Sequence, residues 1–122
     1  MNGYYYLASP YSKFATGIEQ AWIDVCKQAA ILIEAGIPVY SPIAHTHPIA
    51  VHGGIDPYAH AIWLPADLPL MQGAKGLIIC MMQGWEESYG ISEEIKEFEK
   101  AGKQIIFMTP GIVPEHILAK AA

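Results

Sequence analysis

The sequence contains little cysteine: Cys26 and Cys80 are the two in 122 residues, and each lies inside an apolar run. Small domains that depend on disulfide bonds carry more cysteines at short spacings. An isolated thiol in an apolar run behaves as a small hydrophobic side chain. We therefore expect both cysteines to be reduced, in a protein of a reducing compartment.

Positive charge is also scarce, because 7 Lys and Arg residues stand against 12 Asp and Glu residues, and the formal net charge is -5. No basic stripe offsets this charge, which argues against a nucleic acid polymer as partner. The N-terminus lacks the basic and apolar regions of a signal peptide, and no apolar run is long enough to span a bilayer. These absences predict a cytoplasmic protein with no membrane partner.

What the chain does have is hydrophobic residues, 52% of the total, in a length suited to one domain over residues 1–122. The predicted strands cover residues 4–8, 37–40, 76–82 and 104–108. The predicted helices cover residues 13–35, 56–63, 88–101 and 114–120. A further short helix is predicted to begin at Asp67, after a break at Pro65. A loop is predicted over residues 43–55. Alternating strands and helices predict an α/β fold with a short parallel sheet, a Rossmann-like or flavodoxin-like three-layer sandwich.

In such a sheet, ligands bind beyond the carboxyl ends of the strands. The turn Ser9-Pro10-Tyr11-Ser12 leaves the first strand there, and its backbone amides and two serine hydroxyls suit a phosphate or another anion at a helix start. The alternative is that a serine caps the helix and Pro10 shapes the turn. Ser88 has the same two interpretations, cap or ligand contact, at a later helix start.

Glu94 is the carboxylate that the predicted packing of its helix does not explain. Ile91, Ile95 and Phe98 form the apolar stripe of the helix over residues 88–101. At 100° per residue, Glu94 lies within about 60° of Ile91 and about 40° of Phe98, at the edge of that stripe. A carboxylate beside the core is partly desolvated and destabilising unless it has a partner or a function.

Asp67 is the second candidate acidic residue. It lies at the start of a predicted short helix, where an isolated Asp is usually an N-cap. However, this helix leads into the third strand, and the far end of that strand leads to Glu94. The two carboxylates are therefore expected to face each other across a pocket. Such a pair supports attack on a sugar anomeric carbon by one carboxylate while the other assists departure of the base.

These residues also carry a resemblance. The segments Asp67-Leu-Pro-Leu-Met-Gln-Gly-Ala and Ser88-Tyr-Gly-Ile-Ser-Glu-Glu-Ile, separated by an apolar strand, resemble the core of the nucleoside 2-deoxyribosyltransferase-like superfamily. The opening Tyr-Leu-Ala-Ser-Pro-Tyr-Ser and the segment Ser-Pro-Ile-x-His resemble a small uncharacterised bacterial branch of it. The resemblance spans most of the chain. It implies an N-glycosidase or deoxyribosyltransferase for a nucleoside or nucleotide, without a cofactor.

The resemblance also implies roles for individual residues. Glu94, four residues after Gly90, matches the nucleophile of the superfamily. Asp67 matches the residue that binds sugar hydroxyls or assists proton transfer, and Ser88 matches the phosphate contact of the monophosphate-specific members. The aromatic residue at the end of the first strand corresponds to Tyr6, or else to Tyr11.

Three positions depart from the superfamily pattern. Lys75 stands where many members have an acidic residue, and Ser92 and Glu93 stand where a glycine and an apolar or aromatic residue are common. Glu93 is therefore a competing register for the nucleophile. The helix-face argument favours Glu94, because Glu93 projects away from Ile91.

The histidines and tryptophans allow several interpretations. His45, His47 and His52 share the predicted loop, but their spacing matches no specific zinc pattern, so we expect no metal. His45 or His47 is expected to contact substrate as a base or phosphate ligand, or else to order the loop. Trp85 is the candidate for stacking on a nucleobase, and Trp63 for the core or the pocket wall.

Two other function classes remain open: a non-catalytic module that binds a nucleotide or sugar phosphate, and a metal-dependent hydrolase that uses the histidine loop. The high hydrophobic content also predicts a homo-oligomer, a dimer or a dimer of dimers. The expected contact segments are residues 56–63 and the stretch 28–31 of the first helix. Because members of the superfamily complete the pocket with residues from a neighbouring subunit, the resemblance implies a site near the interface.

Overall fold

A four-stranded, all-parallel sheet forms the centre of the computed structural model, which describes residues 3–115 and Ile117. Strands β1 (Tyr5–Ala8), β2 (Val39–Tyr40), β3 (Gly76–Cys80) and β4 (Gln104–Met108) lie in the order β2-β1-β3-β4. Tyr5 pairs with Val39 on one side and with Gly76 on the other, and Gly76 pairs with Gln104. The predicted α/β class with a short parallel sheet is confirmed.

Within the described residues, four α-helices cover the sheet: α1 (Ile18–Glu34), α2 (Pro42–Gly53), α3 (His60–Gly73) and α4 (Tyr89–Lys100). Because side chains alternate along a strand, Leu7 and Ile78 pack on the face covered by α1. Tyr6 and Leu77 pack on the opposite face, against α3 and α4. Two buried clusters on either side of the sheet give the three layers of the predicted sandwich. None of the helices described is long and apolar enough to cross a membrane.

The predicted loop over residues 43–55 is wrong, because residues 43–53 belong to helix α2. The Ser41 hydroxyl accepts a hydrogen bond from the Ala44 amide at 3.1 Å, and Pro42 occupies the first helical position. Gly54 ends the helix in the left-handed conformation, with φ of 72°. A serine N-cap, a proline at the first position and a glycine after the last turn form a helix signature, and all three are present in the sequence from Ser41 to Gly54.

The predicted break at Pro65 is also wrong, since α3 continues through Pro65 and Pro69. Each proline removes one N–H donor, and the carbonyl groups left without a donor belong to Ala61 and Pro65. Both of these residues are exposed, so water can bind their carbonyl groups. Burial of the opposite side of α3, around Met71, maintains the helix despite the two lost hydrogen bonds.

The remaining differences concern element ends. Helix α1 begins at Ile18 rather than at residue 13, because Phe14 and Gly17 donate turn hydrogen bonds to Tyr11 and Phe14, and Gly17 has a φ of 100°. Strand β2 is shorter than predicted, and β3 ends at Cys80. The predicted helix over 114–120 falls mostly on residues outside those that the structure describes. Cys26 and Cys80 are both free.

Gly84 holds the loop after β3 against the loop after β1. Its φ is 91°, and a Cβ added there would lie 2.2 Å from the Lys13 carbonyl oxygen. We expect Gly84→Ala to lower the free energy of unfolding, measured in urea, by about 3 kcal/mol or more, because strain and a backbone clash add together.

Gly111→Ala is the matched control for this substitution. Its φ is 85°, and nothing lies within 4 Å of an added Cβ. This variant should lose about 1–2 kcal/mol, the conformational contribution alone. Equal losses in the two variants would mean that the backbone around Gly84 shifts to absorb the contact.

Candidate active site

A cavity opens at the carboxyl ends of β1, β2 and β3. Its wall is built from the turn after β1, from α2, from the connection between α2 and α3, from α3 itself and from the first two turns of α4. The predicted site residues on this wall are Ser9, Tyr11, Ser12, Asp67, Ser88, Gly90 and Glu94. Residues that are 85 positions apart in the chain therefore share one cavity, as expected for the edge of a parallel sheet.

Glu94 lies on the cavity wall but is 7% exposed. It shares the buried side of α4 with Ile91 and Phe98, as the helical periodicity predicts. Burial raises the pKa of Glu94 to about 8; the nearby Tyr6 hydroxyl lowers this pKa, and the negative charge of Asp67 raises it further. Burial therefore destabilises the ionised form of this carboxylate.

Glu93 lies on the other side of α4. Its carboxylate forms an ion pair with Lys96 at 2.9 Å and accepts a hydrogen bond from the Tyr89 hydroxyl at 3.1 Å. The lysine and the hydroxyl both lower the pKa of Glu93. The two candidate registers for the nucleophile thus have opposite environments: Glu94 faces the cavity and Glu93 does not.

Asp67 lies in the middle of α3, whose N-cap is Ala59. The N-cap interpretation of Asp67 is therefore wrong, and it failed because α3 does not break at Pro65. The side chain is half-buried on the cavity wall, and burial raises the pKa of its carboxyl group to about 6. Two carboxyl groups, of Asp67 and Glu94, thus lie on one wall with raised pKa values.

Tyr6 lies beneath these carboxylates rather than on the cavity wall. Its ring is completely buried in β1 and packs 5.8 Å from the rings of Tyr40 and Phe98, measured between centroids. Burial raises the pKa of its hydroxyl, and the charges of Glu94 and Asp67 raise it further. The hydroxyl is close enough to Glu94 to lower the pKa of that carboxyl group, yet it makes no well-aligned hydrogen bond to any residue that the structure describes.

The turn after β1 differs from its prediction in one respect. Because α1 begins at Ile18 with Gly17 as N-cap, neither Ser9 nor Ser12 caps it, and no helix start lies directly behind the turn. Ser9 is 4% exposed and lines the cavity, and within the described chain its hydroxyl has no hydrogen-bond partner. Pro10 is buried and lies off the wall.

Ser88, by contrast, combines its two predicted positions. Its hydroxyl oxygen caps α4 by accepting a hydrogen bond from the Ile91 amide at 3.2 Å, and its side chain lies on the cavity wall. Gly90 lies beside it at the start of α4. A serine and a glycine at a helix N-terminus provide a hydroxyl proton and a free amide to a bound ligand.

His45 and Trp85 do not lie on the cavity wall. His45 is exposed, and its Nδ1 is 3.0 Å from the Tyr40 hydroxyl. The Trp85 ring packs edge-on against Phe107, with 5.8 Å between centroids. The structure therefore does not bring either residue to the place predicted for it.

Tyr58, His60 and Trp63 supply aromatic surface to the cavity. None of the three was predicted to contact ligand, although Trp63 was predicted in the core or the pocket wall. A local signal existed for α2: Pro42, Thr46 and Ala50 line the cavity at a helical spacing of four. Recognition of the helix start at Ser41 would have identified this wall.

No three His, Cys, Asp or Glu side chains group as metal ligands within residues 3–115 and 117. The histidines predicted to share a loop are distributed over one helix: His47 is buried, while His45 and His52 are exposed. Helix formation separates them because successive residues point in different directions.

A family model described as a domain of unknown function (DUF1937) matches residues 3–110. The match covers most of the chain, and the chain belongs to this family. The search of curated proteins finds no match.

Proposed function

We propose that this member of the DUF1937 family cleaves or transfers the N-glycosidic bond of a nucleoside or nucleotide, with Glu94 as nucleophile and Asp67 as proton donor. One observation carries the proposal: a carboxylate that is 7% exposed lies on a cavity wall beside a second carboxylate. No lysine in the described chain lies on that wall, and the sequence contains no arginine. A buried carboxylate without a compensating cation destabilises a fold, which favours a functional role for it.

The resemblance of residues 67–74 and 88–95 to the nucleoside 2-deoxyribosyltransferase-like superfamily supports the same chemistry. In the first step, a Glu94 oxygen bonds to C1′ of the sugar and the C1′–N bond breaks. The electron pair of that bond goes to the base, which takes a proton from Asp67. Water or a second base then attacks C1′, releases the Glu94 carboxylate and returns a proton to Asp67.

This sequence of steps requires one ionised and one protonated carboxyl group. With pKa values of about 8 for Glu94 and about 6 for Asp67, the pair holds one proton between these pH values, and that proton lies mainly on Glu94 in the protein without substrate. The mechanism therefore requires this proton to pass to Asp67 before Glu94 attacks C1′. The Tyr6 hydroxyl favours the ionised form of Glu94, and in this proposal it orients that carboxylate. The aromatic side chains of Tyr58 and Trp63 offer surfaces for the base.

The decisive experiment is incubation of the protein with deoxynucleosides and their 5′-monophosphates, with and without an added free base as acceptor. Chromatography of the mixtures should reveal free base from at least one substrate. Exchange that needs the acceptor indicates a transferase, and release without it indicates a hydrolase. Binding of a nucleotide without any turnover would instead support the non-catalytic module.

The unpartnered Ser9 hydroxyl gives a prediction about phosphate. Ser9, Ser12, Ser88 and Gly90 share the cavity wall, and we expect phosphate to bind among them in crystals soaked with it. Ser9→Ala should weaken binding of a deoxynucleoside monophosphate about tenfold, because a hydrogen bond to a charged group is lost. Binding of the unphosphorylated nucleoside should not change.

Ser92→Ala is the control for Ser9→Ala, since Ser92 is exposed and donates its hydroxyl proton to the Tyr89 carbonyl oxygen at 2.6 Å. This variant should bind both ligands normally. Phosphate bound repeatedly elsewhere, with the Ser9 and Ser88 region empty, would argue against a monophosphate substrate.

We also propose that the protein is a homo-oligomer. Tyr58, at 50% exposure, and Ile62, at 52%, both lie in the predicted contact segment 56–63. Ile33, at 58% exposure, lies two residues after the other predicted contact segment, 28–31. Light scattering at micromolar concentration should give the mass of a dimer or tetramer, and Ile62→Glu should reduce it by placing a charge in the contact. A monomer mass for the unmodified chain would contradict this proposal.

A further inference from the structure

A buried histidine links the cavity wall to a surface carboxylate. His47 is 2% exposed, and its Nδ1 is 2.6 Å from the hydroxyl oxygen of Tyr11, which lines the cavity. Its Nε2 is 3.2 Å from a carboxylate oxygen of Glu19, whose side chain is 70% exposed. The imidazole stacks on the Trp22 ring, with 5.0 Å between centroids and 29° between planes. The loop after β1, helix α1 and helix α2 thus meet at His47.

The partners of the two nitrogens determine where the protons lie. A carboxylate can only accept a hydrogen bond, so the Nε2 of His47 must carry a hydrogen and donate it to Glu19. In a neutral imidazole the other nitrogen then has only a lone pair. In that neutral form the Tyr11 hydroxyl donates its proton to Nδ1, and the Tyr11 oxygen then retains only acceptor capacity for any other contact.

From this geometry we infer that Tyr11 is a ligand-binding residue that accepts a hydrogen bond from a hydroxyl or N–H group in the cavity, and that His47 and Glu19 are its positioning residues. A hydroxyl that already donates its proton to Nδ1 cannot donate it to a phosphate oxygen, which can only accept a hydrogen bond. Tyr11 therefore recognises the neutral, donor-bearing part of a ligand, while Ser9 and Ser88 remain free to donate. The inference rests on the proposed function only in taking that ligand to be a nucleoside or nucleotide.

The tautomer of His47 can be measured without a ligand. The full chain, labelled with 15N in its histidine rings, should show His47 in the neutral form with hydrogen on Nε2. The signals are assigned by their loss in His47→Asn. A hydrogen on Nδ1 would overturn the inference, because Tyr11 would then be free to donate.

Binding tests the role of Tyr11 itself. The four common deoxynucleosides and their 5′-monophosphates are titrated into a Glu94→Gln background, which prevents turnover and serves as the parent protein. Tyr11→Phe and His47→Leu should each weaken binding about tenfold, which is about 1.4 kcal/mol. The double variant should be no weaker than either single one, because both changes remove the same hydrogen bond to the ligand.

Two further variants separate positioning from general damage to the fold. His47→Asn places an amide oxygen near the former Nδ1, where it can accept the Tyr11 proton, so it should restore most of the affinity lost in His47→Leu. Tyr89→Phe removes a hydroxyl that bonds to Glu93, away from the cavity wall, and should bind normally. All variants are compared at equal folded fraction, monitored by thermal unfolding.

The outcomes are distinct. If the parent protein binds one of these ligands and Tyr11→Phe binds it with unchanged affinity, the inference is overturned. The proposed function stays intact in that case. Failure of the parent protein to bind any deoxynucleoside or monophosphate overturns the proposed function, and with it the role of Tyr11 toward this ligand class. A restored affinity in His47→Asn together with the Nε2 tautomer supports the inference.

Discussion

Glu94→Gln is expected to abolish the release of free base, with a loss of about a thousandfold or more in turnover. The amide has nearly the shape of the carboxylate but does not attack C1′, so binding should survive while the chemical step fails. Turnover is measured as free base by chromatography, with the substrate identified from the deoxynucleoside panel. Full activity in this variant would rule out Glu94 as the nucleophile.

Glu93→Gln is the matched control for Glu94→Gln. It makes the same chemical change one residue earlier on α4, where the carboxylate contacts Lys96 and Tyr89 instead of the cavity. We expect it to retain activity and to lose only a surface ion pair, which contributes little to stability because solvent screens it. Loss of activity in Glu93→Gln, but not in Glu94→Gln, would identify Glu93 as the nucleophile instead.

Glu94→Gln is also expected to alter how stability depends on pH. The folded-state pKa of Glu94 is about 8, above its ordinary value of 4.5. The folded protein therefore binds this proton more tightly than the unfolded chain does, and the stability associated with Glu94 is present at low pH and is lost as pH rises through 8. The difference corresponds to roughly 5 kcal/mol at about 1.36 kcal/mol per pH unit.

Urea denaturation at pH 5 and at pH 8.5 measures this effect. The unmodified protein should be several kcal/mol less stable at the higher pH, whereas Glu94→Gln should lose much less, since its amide does not ionise. Some slope below pH 6 should remain from Asp67, whose pKa is about 6. Glu93→Gln should retain the full slope above pH 6. Identical slopes in all three proteins would show that burial does not raise the pKa of Glu94. Unfolding of Glu94→Gln at pH 7 would show that the carboxylate is a structural partner.

Local sequence patterns were sufficient for several features of this molecule. The apolar run of β3 is buried on both faces, and the stripe of Ile91 and Phe98 packs on the sheet as the 3.6-residue period predicts. The same period placed Glu94 on the buried side of α4. Ser88 caps that helix, as its position before the helix indicates. These features depend on residues a few positions apart, so their spacing along the chain contains the information.

Other features depended on contacts between distant segments. Burial of one side of α3 keeps that helix continuous through two prolines and so places Asp67 in mid-helix rather than at an N-cap. The formation of α2 brings His47 to Tyr11, 36 positions away, and turns His45 toward Tyr40 instead of the cavity wall. Trp85 packs on Phe107 because β4 lies beside β3 in the sheet. Periodicity determines which side of one helix or strand is apolar. Only packing determines which segments line the same cavity wall, because the free energy of burial depends on the partner surface and not on the distance along the sequence.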